Sequence, residues 1–172
     1  MSNATHFDEE HLHRTIRGLA HPGLIRLISE IDDNGPLQRR MTRRTLADLS
    51  RHQVQAGLEI AGQHGLVGTH SLSGEPCYVL TDAGTGLADI YDTLARWARA
   101  HDYPERSCDF VTRIQATLTL LNGPLVQTVP TDAGTQPPPS IAALALEGPW
   151  AAFVQWVQTH APTAGAELDR AA

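Results

Sequence analysis

Between Pro36 and Thr81 the chain is interrupted so often that only short elements fit. Asp32-Asp33-Asn34-Gly35-Pro36 is a strong stop. Ser50-Arg51-His52-Gln53 has the S-x-x-Q spacing in which a serine hydroxyl caps a helix and the glutamine reaches back to it. Gly65 suits a helix C-terminus, Ser73-Gly74-Glu75-Pro76 a turn, and Thr81 a further cap. These stops leave room for a short helix capped by Thr42 and holding Leu46, Ala47 and Leu49. A second helix opens at Ser50 and carries Val54, Leu58 and Ala61 on one face. Leu66–Leu72 and Cys77–Leu80 then read as the two strands of a hairpin.

Longer helices flank this region. Leu12, Ile16 and Leu19 repeat at helical spacing, and Leu24, Ile25, Leu27, Ile28 and Ile31 follow Pro22, a residue suited to a helix start. After Thr81, Leu87, Tyr91, Leu94, Trp97 and Ala98 form an apolar face that ends at Asp102-Tyr103-Pro104. Two short helices joined by a tight turn, then a hairpin and a long helix, outline a helix-turn-helix with a β appendage.

Charge marks the same region. All 13 basic residues are arginine, and Arg39, Arg40, Arg43, Arg44 and Arg51 fall within thirteen positions. From Pro36 to Ser71 only Asp48 and Glu59 oppose them, so that stretch is +3 in a chain of net charge −6. A basic patch on an acidic body is suited to phosphate. On the second short helix, Ser50, Arg51, His52, Gln53 and Gln55 stand near the N-terminal end. From there side chains can reach base edges in a major groove, glutamine pairing with adenine and arginine with guanine. Arg39, Arg40, Arg43 and Arg44 suit phosphate contacts, which position a protein without reading sequence.

These residues resemble the winged helix-turn-helix regulators of bacteria, most closely the HxlR family, with MarR, PadR and ArsR types related in shape. The resemblance rests on Leu46-Ala47-Asp48-Leu49, on Val54, Leu58, Ala61 and Gly65-Leu66-Val67, on Tyr78-Val79-Leu80-Thr81-Asp82-Ala83-Gly84, and on the helix that closes at Trp97. It covers roughly residues 10 to 103. Ala20-His21-Pro22-Gly23-Leu24 stands where the HxlR type has Gly-Lys-Trp, and the hairpin carries only His70 where many wings carry arginine or lysine. The resemblance implies a fold that is mainly α with a small β-hairpin wing. It further implies a cytoplasmic transcriptional regulator that acts as a homodimer on double-stranded DNA, with recognition helices roughly 34 Å apart. Leu12, Ile16, Leu87, Tyr91, Leu94 and Trp97 are the expected dimer seam, their alternative place being the core of the single chain, with some serving both.

The expected division is a DNA-binding domain over residues 1–104 and a helical C-terminal extension over 105–172. In the extension, Phe110, Ile114, Leu118 and Leu121 predict one helix, with Ser107 as its cap. Trp150, Phe153, Val154 and Val157 predict another after Pro149. Asn122–Val129 faintly echoes His21–Ile28, and Ile141–Leu144 echoes Leu46–Leu49. A truncated winged-helix copy and a pair of covering helices are both open readings. The nine histidines show no recognised ligand spacing, so neither metal nor cofactor is expected. A Gly-rich phosphate loop, G-x-S-x-G and suggestively paired carboxylates are all missing, which argues against an enzyme. The N-terminus has no signal-peptide pattern and no apolar run is long enough to span a membrane. Two alternatives stand beside DNA reading: a winged helix used to bind protein, and a sensor holding a small-molecule effector near Trp150 and Trp156.

Overall fold

The structure, a computed structural model, describes residues 9–122 and 146–160, with side chains from residue 13 onward. It is mainly helical, with one small antiparallel sheet of three strands. The chain opens with α1 (Glu9–Leu19) and α2 (Pro22–Asn34). Pro22 stands at the first turn of α2, and the His21 ring nitrogen Nδ1 caps that turn by accepting the Gly23 N–H at 3.1 Å.

Strand β1 (Leu37–Gln38) was not anticipated, because two residues carry no readable alternation. It pairs with β3 (Glu75–Leu80), which in turn pairs with β2 (Val67–Leu72), so the sheet order is β1-β3-β2. The β2–β3 register sets Thr69 opposite Tyr78 and Leu72 opposite Glu75. Ser73 and Gly74 make the hairpin turn with φ of 52° and 83°, the positive values that a tight two-residue hairpin needs.

The first short helix is shorter than expected. Helix α3 covers only Thr42–Thr45. Met41, not Thr42, holds the cap position, and the Thr42 hydroxyl donates to the Gln38 carbonyl at 3.3 Å instead. Leu46 leaves helical geometry at φ −98° and ψ 45° and is 1% exposed, one of the core residues. Helix α4 (Arg51–Gln63) follows. It crosses α2 at two glycines: a Cβ on Gly57 would lie 2.4 Å from the Gly23 carbonyl carbon. Helix α5 (Asp82–Ala100) starts under the Thr81 cap. Thr81 accepts the Gly84 N–H at 3.1 Å and donates to the Gly65 carbonyl at 2.7 Å, which ties the hairpin exit to the end of α4.

Helix α6 (Phe110–Leu121) is capped by Asp109 rather than Ser107. The Asp109 carboxylate accepts from both the Thr112 amide and hydroxyl, each at 2.9 Å. Those bonds hold its pKa below the usual carboxylate value. Helix α7 (Glu147–His160) begins ahead of Pro149, which fits the first turn because no helical N–H is required there. The repeat echo at Asn122–Val129 lies, beyond Asn122 itself, outside the described residues, as does that at Ile141–Leu144.

One core joins these elements. Ile16, Leu24, Ile28, Leu94, Ile114 and Phe153 are among its members, so helices on both sides of residue 104 share it. Helix α5 sits at its centre, in contact with α2, α6 and α7. The side it leaves to solvent is the polar stripe Asp82, Thr85, Asp89, Asp92, Arg96 and Arg99. Among the described residues no helix is long and apolar enough to cross a membrane.

Candidate functional site

The five arginines do not share one environment. Arg40 sits 3.3 Å from Glu75 across the sheet, an exposed pair of small energetic weight. Arg39 continues β1: its N–H donates to the Pro76 carbonyl at 3.0 Å, which carries the side chain beside β3. There Arg39 Nε donates to the Tyr78 hydroxyl at 3.2 Å, and the guanidinium lies 5.5 Å from the ring centre. Arg43, Arg44 and Arg51 are exposed and form no ion pair among the described residues. The nearest carboxylate in sequence, Asp48, is held elsewhere. Arg26 of α2 grips it through Nε at 2.9 Å and through a second guanidinium nitrogen at 3.4 Å. That grip depresses the Asp48 pKa, the hydrogen bond being the largest cause.

Helix α4 presents Arg51, His52 and Gln55 to solvent at its N-terminal half. Its opposite side, Val54, Gly57 and Ala61, is buried. Ser50 and Gln53, also expected among the base-reading residues, have in addition a structural role at the start of the helix. The Gln53 amide donates to Ser50 Oγ at 3.2 Å, and Gln53 Oε1 accepts from the Ser50 amide at 2.8 Å. Ser50 Oγ and Gln53 Oε1 thus form the capping box that starts the helix, while the Ser50 hydroxyl proton and the Gln53 Nε2 donors take no part in it.

A cleft of about 230 Å³ lies between α4 and β3, lined by Arg39, Thr42, Arg43, Arg51, Val54, Gln55, Leu58 and Tyr78. Three guanidiniums and no carboxylate face it. Tyr78 was visible in the sequence only as part of a motif, and its meeting with Arg39 depends on the unanticipated β1. A larger cleft of about 530 Å³ opens between α2, α5 and the start of α6, lined by Asp32, Asp33, Asp48, Asp92 and Asp109 with Arg26. The Asp32 pKa is raised there by burial first and then by neighbouring carboxylates. Its field repels anions, so size does not make it the partner of the arginine face. Among the described residues no three His, Cys, Asp or Glu side chains gather into a metal site.

The expected dimer seam lies inside the single chain. Leu87 and Leu94 are 0% exposed, Tyr91 1%, Ile16 2% and Trp97 7%. The Tyr91 hydroxyl donates to the Leu19 carbonyl at 2.6 Å, supplying a partner to the open end of α1. Trp97 stacks on His101 with ring centres 4.5 Å apart. Helices α2, α6 and α7 of the same chain already cover these faces, which therefore serve as core. The Leu12 side chain lies outside the described residues. Trp156 is also occupied internally, its ring N–H donating to the Ala83 carbonyl at 3.0 Å. Compared with family models, with curated proteins and with solved structures, the chain matches none.

Proposed function

We propose that the chain is a DNA-binding transcriptional regulator of winged helix-turn-helix type, with α3 and α4 as its helix pair and the β2–β3 hairpin as its wing. One observation carries the reading. Arg43, Arg44 and Arg51 are exposed and unpaired among the described residues beside the N-terminal half of α4, while the one carboxylate between them is neutralised by Arg26. Unpaired guanidiniums on one face suit a phosphate backbone. Arg51, His52 and Gln55 are then the side chains fully available to base edges, and Ser50 and Gln53 offer only the donors their capping box leaves unused. A two-fold operator would need two copies joined elsewhere than through the buried side of α5.

The test is fluorescence anisotropy on duplex DNA from the gene's own upstream region, against a scrambled duplex, over a range of salt. The expected result is preference for the native duplex, with Arg51→Ala and Gln55→Ala each costing about 1–3 kcal/mol. Equal, negligible binding to both duplexes would refute it. A protein-binding role is the second reading. It is favoured by Leu72, which is 51% exposed at the tip of a hairpin that has no arginine.

A further inference from the structure

Resting on the DNA reading, we propose that the cleft between α4 and β3 is a phosphodiester pocket, with Tyr78 as a hydrogen-bond donor to the phosphate and Arg39 and Arg43 as its cationic walls. The Tyr78 hydroxyl accepts from Arg39 Nε, which leaves its own proton directed to another acceptor. Arg39 is thereby aligned by Tyr78, and its remaining guanidinium N–H groups are available to the same anion. The cleft measures about 230 Å³, room for a phosphate with part of its sugars. Its other wall is aliphatic: the half-buried Leu58 of α4, backed by the buried Val54, presents C–H surface where a free inorganic anion has nothing to match it and a deoxyribose does. Arginine charge and an apolar strip side by side fit the alternation of phosphate and sugar along a nucleic-acid strand. The position also fits: α4 entering a groove brings the flanking strand against β3. Tyr78 and Arg39 therefore set affinity and register, while Arg51 and Gln55 read sequence.

The experiment uses the full chain and a duplex from its upstream region, scanned with single methylphosphonate substitutions that remove one phosphate charge at a time. Tyr78→Phe keeps the ring and the sheet packing, and an unchanged thermal midpoint certifies its fold. It is expected to weaken binding about fivefold to tenfold on native and scrambled duplexes alike, the loss of one charge-assisted hydrogen bond. Arg39→Gln is expected to lower the slope of log affinity against log salt by about 0.9. One methylphosphonate position should weaken the wild type more than it weakens Tyr78→Phe, which lacks the hydrogen bond to that phosphate but keeps the arginines. If Tyr78→Phe and Arg39→Gln match the wild type while Arg51→Ala and Gln55→Ala lose affinity, the pocket is refuted and the DNA reading stands. If the wild type binds no duplex at low salt, both fall. Titration with inorganic phosphate against chloride at equal ionic strength separates the sources. Phosphate binding that Tyr78→Phe abolishes, with duplex binding unchanged, would make the pocket a free-anion site and overturn the proposal.

Discussion

His21 shows how much one side chain decides. Its ring accepts the Gly23 N–H, so the cap requires an unprotonated Nδ1. Burial first, and the nearby His52 second, lower its pKa from 6.5. The unfolded chain therefore takes up a proton before the folded one does. This contribution to stability is complete above pH 6.5 and declines as pH falls towards the lowered folded value. Asp48 and Asp109 act in the same direction lower on the scale: their stabilisation is present above 3.8 and is lost as pH falls through their depressed folded values. His21→Asn preserves a side-chain acceptor at the cap. Urea midpoints at about pH 7.5 and about pH 5.5 should differ less for this variant than for the wild type. Tyr91 is the buried counterpart. Removing its hydroxyl in Tyr91→Phe leaves the Leu19 carbonyl without that donor, and a loss of about 1–3 kcal/mol in unfolding free energy is expected.

At the scale of elements, the position of α4 follows from its two ends and one crossing. The Ser50–Gln53 box fixes where it starts, and Gly65, at φ 61°, lets the chain turn out of it. Gly23 and Gly57 let α2 and α4 approach backbone to backbone; a methyl at Gly23 would fall 1.9 Å from the Gln53 carbonyl oxygen. Gly57→Ala cannot be absorbed by a rotamer change, because the obstructing atoms are main chain. It should cost about 3 kcal/mol or more in chemical denaturation and, under the proposed DNA reading, weaken duplex binding by tilting α4. Ser50→Ala removes half of the box and should cost about 1 kcal/mol with little change in α4's direction. Gly84 has a related role at the next junction, where a Cβ would meet the Leu66 carbonyl oxygen at 2.1 Å. The Thr81-x-x-Gly84 spacing is thus a joint between hairpin and helix. Each residue of the joint has a steric or hydrogen-bonding reason.

Across the whole molecule, α5 is the shared wall. Helix α7 reaches it through Trp156 and closes on Gly86, where an added Cβ would stand 3.0 Å from the indole. Helix α6 reaches back to α1 through Gln115, whose amide donates to the Ala20 carbonyl at 2.9 Å. A seam built from Leu94 and its neighbours would require these helices to lift away. Leu94→Ala is therefore expected to lower stability by about 2–5 kcal/mol while the mass by light scattering equals that of the wild type. Loss of a dimer without loss of stability would return Leu94 to a subunit interface.

Local chemistry was legible in the chain. The capping box at Ser50, the Thr81 cap, Pro22 at a helix start, the hairpin turn and the apolar spacings all act over a few residues, so a linear reading finds them. The arginine cluster was legible too, because charge needs no fold to be counted. What the line of residues leaves open is which neighbour a side chain meets. A two-residue strand has no period, so β1 and the Arg39–Tyr78 meeting it produces appeared only with the sheet. An apolar stripe looks the same whether its own chain or another covers it. Tyr91 meeting Leu19, Gln115 meeting Ala20 and Trp156 meeting Ala83 are contacts between elements far apart in the chain. The tertiary structure alone made the expected seam a core, because burial depends on what lies opposite and periodicity records only which side is apolar.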